Sequence, residues 1–240
     1  DRVVGRMAVL TLTGKSGTRY IHGLVGAFQL RDKGRRFTVY HLTLVPLAWR
    51  LRHRVDCRIF QKKNIQQIIG KVLKDGKVEH KFHLKGGKAP PTREYCVQYR
   101  ESDWDFVARL LEEEGFFYFF EHKTQKHILH MGNDYNVHPQ IGGDATVPYH
   151  APDTTTPGEE HINSLFYQEQ VRSGSVMLND FNFEKPTLDL KSAKPGKLDD
   201  DLEVYDYPGL YEVPERGAAL ADLRREESEA LRALGEGQSD

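Results

Sequence analysis

The chain has 240 residues, of which 38% are hydrophobic and 29% charged, with two cysteines and a formal net charge of −1. That length buries a real core and holds one large domain or two small ones, and no apolar run reaches the roughly 20 residues that a membrane helix needs. Cys57 and Cys96 stand too far apart for a zinc spacing or a disulfide framework, which suits cytosolic synthesis, and two buried thiols are the plain reading.

The near-zero net charge hides an asymmetry. Residues 1–100 carry 22 Lys and Arg against 6 Asp and Glu, whereas residues 101–240 carry 12 against 29. A basic half raises nucleic-acid binding, but its charges are dispersed along alternating strands rather than packed in a stripe with stacking aromatics. Attraction between the halves, within a subunit or between neighbours in an oligomer, is favoured instead, and salt weakens such attraction. The opening DRVVGRMAVLTL has no signal-peptide layout and no initiator Met, so it reads as an internal starting point.

In chain order, Val3–Thr13 and Tyr20–Leu30 read as strands joined by a turn at Gly14-Lys15-Ser16-Gly17. A phosphate-binding loop ending at Lys15-Ser16 requires glycine where Val9 stands and a helix where a strand follows. Phe37–Leu47 alternates as a third strand that Pro46 confines to an edge or an end. Three early antiparallel strands point to a barrel or sandwich. The period then changes: Asn64 caps a helix with Gln67 at the third position, and Ile65, Ile68, Ile69, Val72 and Leu73 form its apolar face up to Gly76. Lys77–Leu84 is a short strand.

Tyr99–His122 is the most strongly specified stretch. Ser102 and Asp105 form a capping pair, and Asp103 and Asp105 put negative charge at the positive end of the helix dipole. Phe106, Val107, Leu110 and Leu111 recur at helical spacing, Glu112–Glu114 fill a solvated side, and Gly115 supplies a left-handed stop. Phe116–Phe120 reads as a buried aromatic strand, to which His127–Met131 pairs across the turn at Lys123–Lys126. Residues 133–161, rich in Gly, Pro, Asp and Thr, read as a long connection. Strand-like runs resume at Ile162–Val171 and Ser175–Phe183, and Ala218–Leu234 has the spacing of an exposed helix laced with Glu/Arg pairs. Tyr205, Tyr207, Pro208 and Tyr211 make an aromatic bend, an interface patch or a barrel corner.

The block EYCVQYRESDWDFVARLLEEEGFFYFFEH resembles the signature of the VgrG family, the trimeric spikes of type VI secretion systems, and of related contractile-phage baseplate hubs. RIFQKKNIQQIIGKVL at 58–73, FEKP at 183–186 and EVYDYPGLY at 203–211 fit the same family. The resemblance implies a β-rich α+β fold: a baseplate-hub-like β-barrel with an inserted α+β unit and the start of a second barrel. Residues 1–49 and 162–190 would form the first barrel, whose N-terminal part precedes this sequence. Residues 50–135 would be the inserted unit, 136–161 a mobile connection, and 191–240 a connection, a helix and the start of the second barrel.

The same resemblance implies a structural component of a contractile injection machine. Three two-barrel subunits would make a pseudo-sixfold platform that caps the tube of Hcp hexamers. The protein would be made in the bacterial cytoplasm and secreted through the apparatus into the extracellular space or a target cell. Effectors or a tip protein would join through C-terminal regions beyond these residues. The alternative owner is the baseplate hub of a contractile phage or phage-derived particle. No cofactor, nucleic acid or membrane-spanning segment is implied. Ser102, Asp105, Phe106, Leu110, Leu111 and Gly115 are the expected fold-signature residues, and Tyr205, Tyr207, Pro208 and Tyr211 the candidate interface.

Enzymatic readings are weaker. His122, His127 and His130, with His138, His150, His161 and Glu121 nearby, are the sharpest candidates for a zinc site or a hydrolase. Their spacing matches no zinc pattern, and strand alternation divides them between two faces. Consecutive Glu112–Glu114 point in different directions from a helix, there is no G-x-S-x-G elbow, and Asp199–Asp201 lacks the glycine and glutamate positions of a calcium loop.

Overall fold

The computed structural model describes residues 3–14, 17–34, 36–140, 146–150 and 161–239. The chain divides into two compact units, residues 1–140 and 141–240. The turn residues Lys15 and Ser16, and most of the Gly- and Thr-rich connection including Thr154–Gly158, lie outside the described residues.

The first unit opens with the expected antiparallel sheet: β1 (Met7–Gly14), β2 (Gly17–Lys33) and β3 (Thr38–Val45), in that spatial order. β2 extends beyond the run read from sequence because register irregularities at Val25/Ala27 and Leu30/Asp32 let its pairing continue. A 3₁₀ turn (Leu47–His53) leads to β4 (Val55–Lys63), α1 (Ile65–Asp75), β5 (His80–His83), β6 (Arg93–Ser102), α2 (Asp103–Glu113), β7 (Phe117–His122) and β8 (His127–Gly132). β4 and β6 make an antiparallel ribbon. β7 and β8 make the expected hairpin, with His122 opposite His127. β5 adds to the far side of β8 in parallel, a pairing that local signals did not give.

Helix α1 starts on a complete capping box: Asn64 Oδ1 accepts from the Gln67 amide at 2.9 Å, and Gln67 Oε1 accepts from the Asn64 amide at 3.1 Å. All five of its periodic apolar residues are buried. Its end differs from expectation in an instructive way. Gly76 keeps a right-handed conformation, and Lys77 takes the left-handed one at φ 58°. Glycine is needed at 76 for space: a Cβ there would stand 2.5 Å from Leu51 Cδ2. Helix α2 ends by the expected device, with Gly115 at φ 67°, its N–H donating to the Glu112 carbonyl and that of Phe116 to Leu111.

These helices and strands close one core running from Ala48 to Met131, which includes Phe60, Trp104, Phe106, Leu110, Leu111, Phe116 and Leu129. Of the aromatic strand only Phe116 is buried. Tyr118 is exposed and the other residues of β7 are half-buried, because β7 is the edge strand of the β5–β8–β7 sheet, whereas β8, between its two neighbours, is buried throughout.

The second unit pairs β9 (Ile162–Glu169) antiparallel with β13 (Ala233–Ser239). β10 (Ser175–Leu178) lies between β11 (Ser192–Pro195), antiparallel, and β12 (Glu203–Asp206), parallel. β10 stops before the expected Phe183 because Asp180 and Asn182 turn the chain. Asp180 Oδ1 accepts from the Phe181 amide, and Asn182 Oδ1 from the amides of Glu184 and Lys185. Helix α3 (Pro214–Ala230) begins four residues earlier than its charge pattern implied, with proline in its first turn. It packs Ala221 into a small core with Val176, Leu178, Leu190 and Tyr211, and it carries the expected Arg/acid pairs, among them Arg225–Asp222 at 2.8 Å.

Candidate functional site

Helix α2 and its flanks carry the signature residues. Ser102 Oγ accepts from the Asp105 amide at 3.1 Å and donates to the Asp105 carboxylate at 2.7 Å. The pair is therefore closed through the side chains, not by the reciprocal backbone bond. Phe106, Leu110 and Leu111 are buried side by side, and Phe106 stacks on Phe60 with ring centroids 5.8 Å apart. Asp103 does more than face the helix dipole. It is fully buried, with Oδ1 bonded to Arg58 Nη2 and to Gln98 Nε2 (3.0 Å). Arg54 Nε stands 3.2 Å from Oδ2 as an ion pair, out of line for a hydrogen bond. Gln98, also fully buried, accepts in turn from Arg58 Nε at 2.8 Å.

The acidic run is likewise tied down. Glu113 and Glu114 hold Arg93 of β6 at 2.6 and 2.8 Å, and the Glu114 side chain is buried, which corrects the solvated-face expectation. These bonds run between α2 and strands β4 and β6, which meet only through long-range pairing.

The histidines form two chains of imidazoles within the first unit. His127 Nε2 accepts from the Leu47 amide at 2.8 Å, so the proton of neutral His127 sits on Nδ1, directed at His22 Nδ1 2.9 Å away. His122 Nδ1 lies 3.2 Å from the His22 amide and 3.0 Å from its carbonyl. Farther along β8, His130 Nε2 stands 3.2 Å from Glu121 Oε2, and its Nδ1 stands 2.8 Å from His83 Nε2. Burial pushes the His22 and His127 imidazoles below their ordinary range, and neighbouring imidazoles push them further.

A ring nitrogen that already accepts an N–H cannot give the same lone pair to a cation, and each facing pair of nitrogens is joined by one proton. Among the described residues there is no group of three or more His, Cys, Asp or Glu able to hold a metal. The Glu121–His130 pair has the carboxylate–imidazole geometry of a general base, but the nitrogen that would face a nucleophile faces His83. His150 and His161 belong to the second unit, where their rings pack edge to face 5.4 Å apart.

Of the candidate interface residues, Tyr205 and Tyr207 are more than half exposed. Tyr211 is not part of that surface: it is buried and donates its hydroxyl proton to the Leu190 carbonyl, so it serves the core. Three exposed apolar residues that the sequence did not single out stand nearby on two joined loops: Phe181, Phe183 and Leu210. Asp180 Oδ2 accepts from the Leu210 amide at 2.7 Å and Asn182 Nδ2 donates to the Glu212 carbonyl, tying the loops together. The readable signal was Asn-Asp-Phe-Asn-Phe, turn-forming residues alternating with aromatics. In the first unit, Cys57 opposes Tyr99, Ile59 opposes Val97 and Gln61 opposes Tyr95, giving the β4–β6 ribbon an exposed, largely apolar outer face; of the two thiols expected to be buried only Cys96 is, because Cys57 points out from this face. The candidate interface is thus a set of exposed apolar surfaces.

Residues 1–240 match the family model described as phage tail baseplate hub. The chain belongs to the phage tail baseplate hub family. Within that family it is 35% identical to the type VI secretion system spike protein VgrG1b of Pseudomonas aeruginosa, over 96% of this chain and 31% of that protein. It is 37% identical to VgrG4b of the same organism, covering 100% of this chain and 30% of that one. A relative from Vibrio cholerae, named actin cross-linking toxin VgrG1, is 35% identical over 93% of this chain and 21% of its own length. The hub chain therefore spans about a third or less of these curated relatives.

Among solved structures it resembles the E. coli c3393 protein, with a TM-score of 0.66 at 21% identity, covering 99% of this chain and 51% of that one. That protein is described as a type VI secretion component similar in structure to the T4 tail proteins gp27 and gp5. The 43 kDa tail protein of prophage MuSo2 from Shewanella oneidensis follows with a TM-score of 0.57 at 13% identity, over 95% of this chain. The β-rich hub fold is common to them. No helix of the described residues is long and apolar enough to cross a membrane.

Proposed function

We propose that this hub chain is the base of a VgrG-like spike: a trimeric platform that seats on a tube of Hcp hexamers and is delivered with it by a type VI apparatus. The observation that carries this is the identity of about 35% to named spike proteins along almost the whole chain. The prophage MuSo2 tail protein shares the fold at 13% identity, so the secretion reading stands ahead of a phage or prophage hub.

The surfaces support a mechanical role. Large apolar side chains lie exposed on β1–β3, on the outer face of β4–β6 and around Tyr205–Leu210, which is the pattern of a protein that functions in contact with others. The net positive charge of residues 1–100 and the net negative charge of the rest supply complementary faces for a head-to-tail ring. In this reading the platform works by shape, and activities such as the one named for the Vibrio cholerae relative reside in segments outside the region shared with it.

Light scattering at low and high salt, together with sedimentation against assembled Hcp tubes, tests the proposal. The expected result is a mass three times that of the 27.6 kDa chain at low salt, reduced by salt, and co-sedimentation with the tubes. A chain that is monomeric at both salts and stays in the supernatant overturns it.

A further inference from the structure

The β1–β3 sheet joins the rest of the first unit through a seam of three imidazoles and one amide. His22 comes from β2, His122 from β7 and His127 from β8, and the amide is that of Leu47, where β3 turns into the 3₁₀ segment. His22 and His127 are both more than nine-tenths buried. Gly23, Leu24 and Val25, which follow along β2, are buried as well.

The hydrogen bonds of the His22–His127 pair permit only one protonation state. His127 Nε2 must hold a lone pair for the Leu47 N–H, so its proton lies on Nδ1. His22 Nδ1 must then hold a lone pair to accept that proton across 2.9 Å. A second proton on His127 would set two N–H donors head to head against Leu47. One on His22 Nδ1 would do the same against His127. Either change also leaves a cation in a buried site.

The charged groups around the seam do not relieve this. His122 is the other titratable group in it and disfavours a charge on both partners. Among the described residues, Glu79, leading into β5, is the carboxylate whose field favours a charge on His127. It is held at 2.6 Å by Lys126 and also feels Lys123 and Lys81, so its field at the seam is largely answered.

We propose that the His22–His127 pair, with His122 and the Leu47 amide, is an acid-releasable latch that holds the β1–β3 sheet against the α+β core. When the latch opens, both imidazoles return to water, where they titrate near 6.5; in the closed latch they bind protons only at lower pH. The open form therefore binds more protons below about 6.5, and closure weakens progressively as the pH falls from that value toward the lower one at which the closed latch takes up protons. With two protons coupled to one opening, the equilibrium shifts toward the open form by at most about a hundredfold per pH unit.

Hydrogen-exchange protection factors of the intact 240-residue chain at pH 7.5 and 5.5, corrected for intrinsic exchange, test this. The expected result is a loss of at least tenfold in protection for β2 amides around His22–Val25 and for β3, while α1 and α2 keep theirs. His127→Gln, which can still accept from Leu47 but cannot take up a proton, is expected to flatten the pH dependence. Unchanged β2 protection across the two pH values overturns the latch, as does an undiminished pH response in the variant. If that variant does not fold, nitrogen-edited imidazole spectra of the wild-type chain decide. A proton on His127 Nδ1 and a loss of β2 protection that follows His22 titration support the latch. A proton on Nε2 of neutral His127, or ordinary titration of both histidines with the sheet still protected, removes it. None of these readouts involves assembly or secretion, so the latch stands or falls apart from the spike-base reading.

Discussion

Asp103→Asn is the substitution that most directly weighs the buried ion network. It keeps the shape and the Oδ1 acceptor, so the bond from Gln98 Nε2 at 3.0 Å can persist. What it removes is the charge facing Arg58, whose side chain is 17% exposed. Losing one charge-assisted bond to a largely buried partner costs about 2 kcal/mol. Arg54 is 45% exposed, so its share is discounted to a few tenths of a kcal/mol. The loss of a negative charge in the first turn of α2 adds roughly 0.5 kcal/mol. Arg58 is not stranded entirely, because Asp56 remains at 3.4 Å and Asp75 at 3.9 Å. The sum is about 3 kcal/mol.

Both tryptophans, Trp49 and Trp104, lie in the first unit, so urea titration followed by their fluorescence reads that unit alone. With a slope of about 1.5 kcal/mol/M the midpoint should fall by roughly 2 M. A fall smaller than about 0.3 M would show that Asp103 contributes no more than an exposed ion pair, and the reasoning from burial would be wrong. In a double-mutant cycle, Arg58→Met should cost far less when made on top of Asp103→Asn than when made alone, since the two residues share one interaction.

The same fluorescence titration applies at the end of α1. Gly76→Ala should destabilise by about 2 kcal/mol because its methyl group meets Leu51 at 2.5 Å. Its neighbour Lys77→Gly should stabilise by about 0.5 kcal/mol by relieving a left-handed lysine. Ellman's reagent should label exposed Cys57 within seconds and buried Cys96 only after urea is added; burial raises the Cys96 thiol pKa, with Arg93 as the leading opposing influence. Two fast-reacting thiols in the folded chain would place Cys96 wrongly. Tyr205→Ala with Tyr207→Ala should weaken self-association severalfold without moving the unfolding midpoint of the first unit, and unchanged light scattering would take these residues out of any interface.

Helices α1 and α2 were legible because their instructions are local. Asn64 with Gln67 and Ser102 with Asp105 mark the starts, the apolar residues recur at 3.6-residue spacing, and Gly115 marks a stop. The β7–β8 hairpin was legible for the same reason. What could not be read depends on distant partners. Asp103 looked like a charge at a helix start, and only the β4–β6 register brings Arg58 and Gln98 to it. His22 is a hundred residues from His122 in sequence. β13, Ala-Leu-Gly-Glu-Gly-Gln-Ser, has two glycines and no β-branched residue, so nothing local marks it as a strand, yet β9 pairs with it along its length. Gly76 shows a subtler limit: the helix does end there, but the glycine answers to Leu51 across the core and not to its own backbone angle.

The β1–β3 sheet has a practical consequence for anyone handling this chain. Leu30 and Tyr40 are each more than half exposed, as is Phe37 just before β3, and Val9, Leu12 and Phe28 are more than a third exposed. Left uncovered, such a sheet is adhesive, and its outer edges invite further strands. At the concentrations of a purification column the chain should therefore meet copies of itself as readily as its proper neighbours. Yield of soluble material becomes a readout of coverage: whichever co-expressed protein keeps this chain out of the pellet is a candidate to cover these three strands in the assembly proposed above.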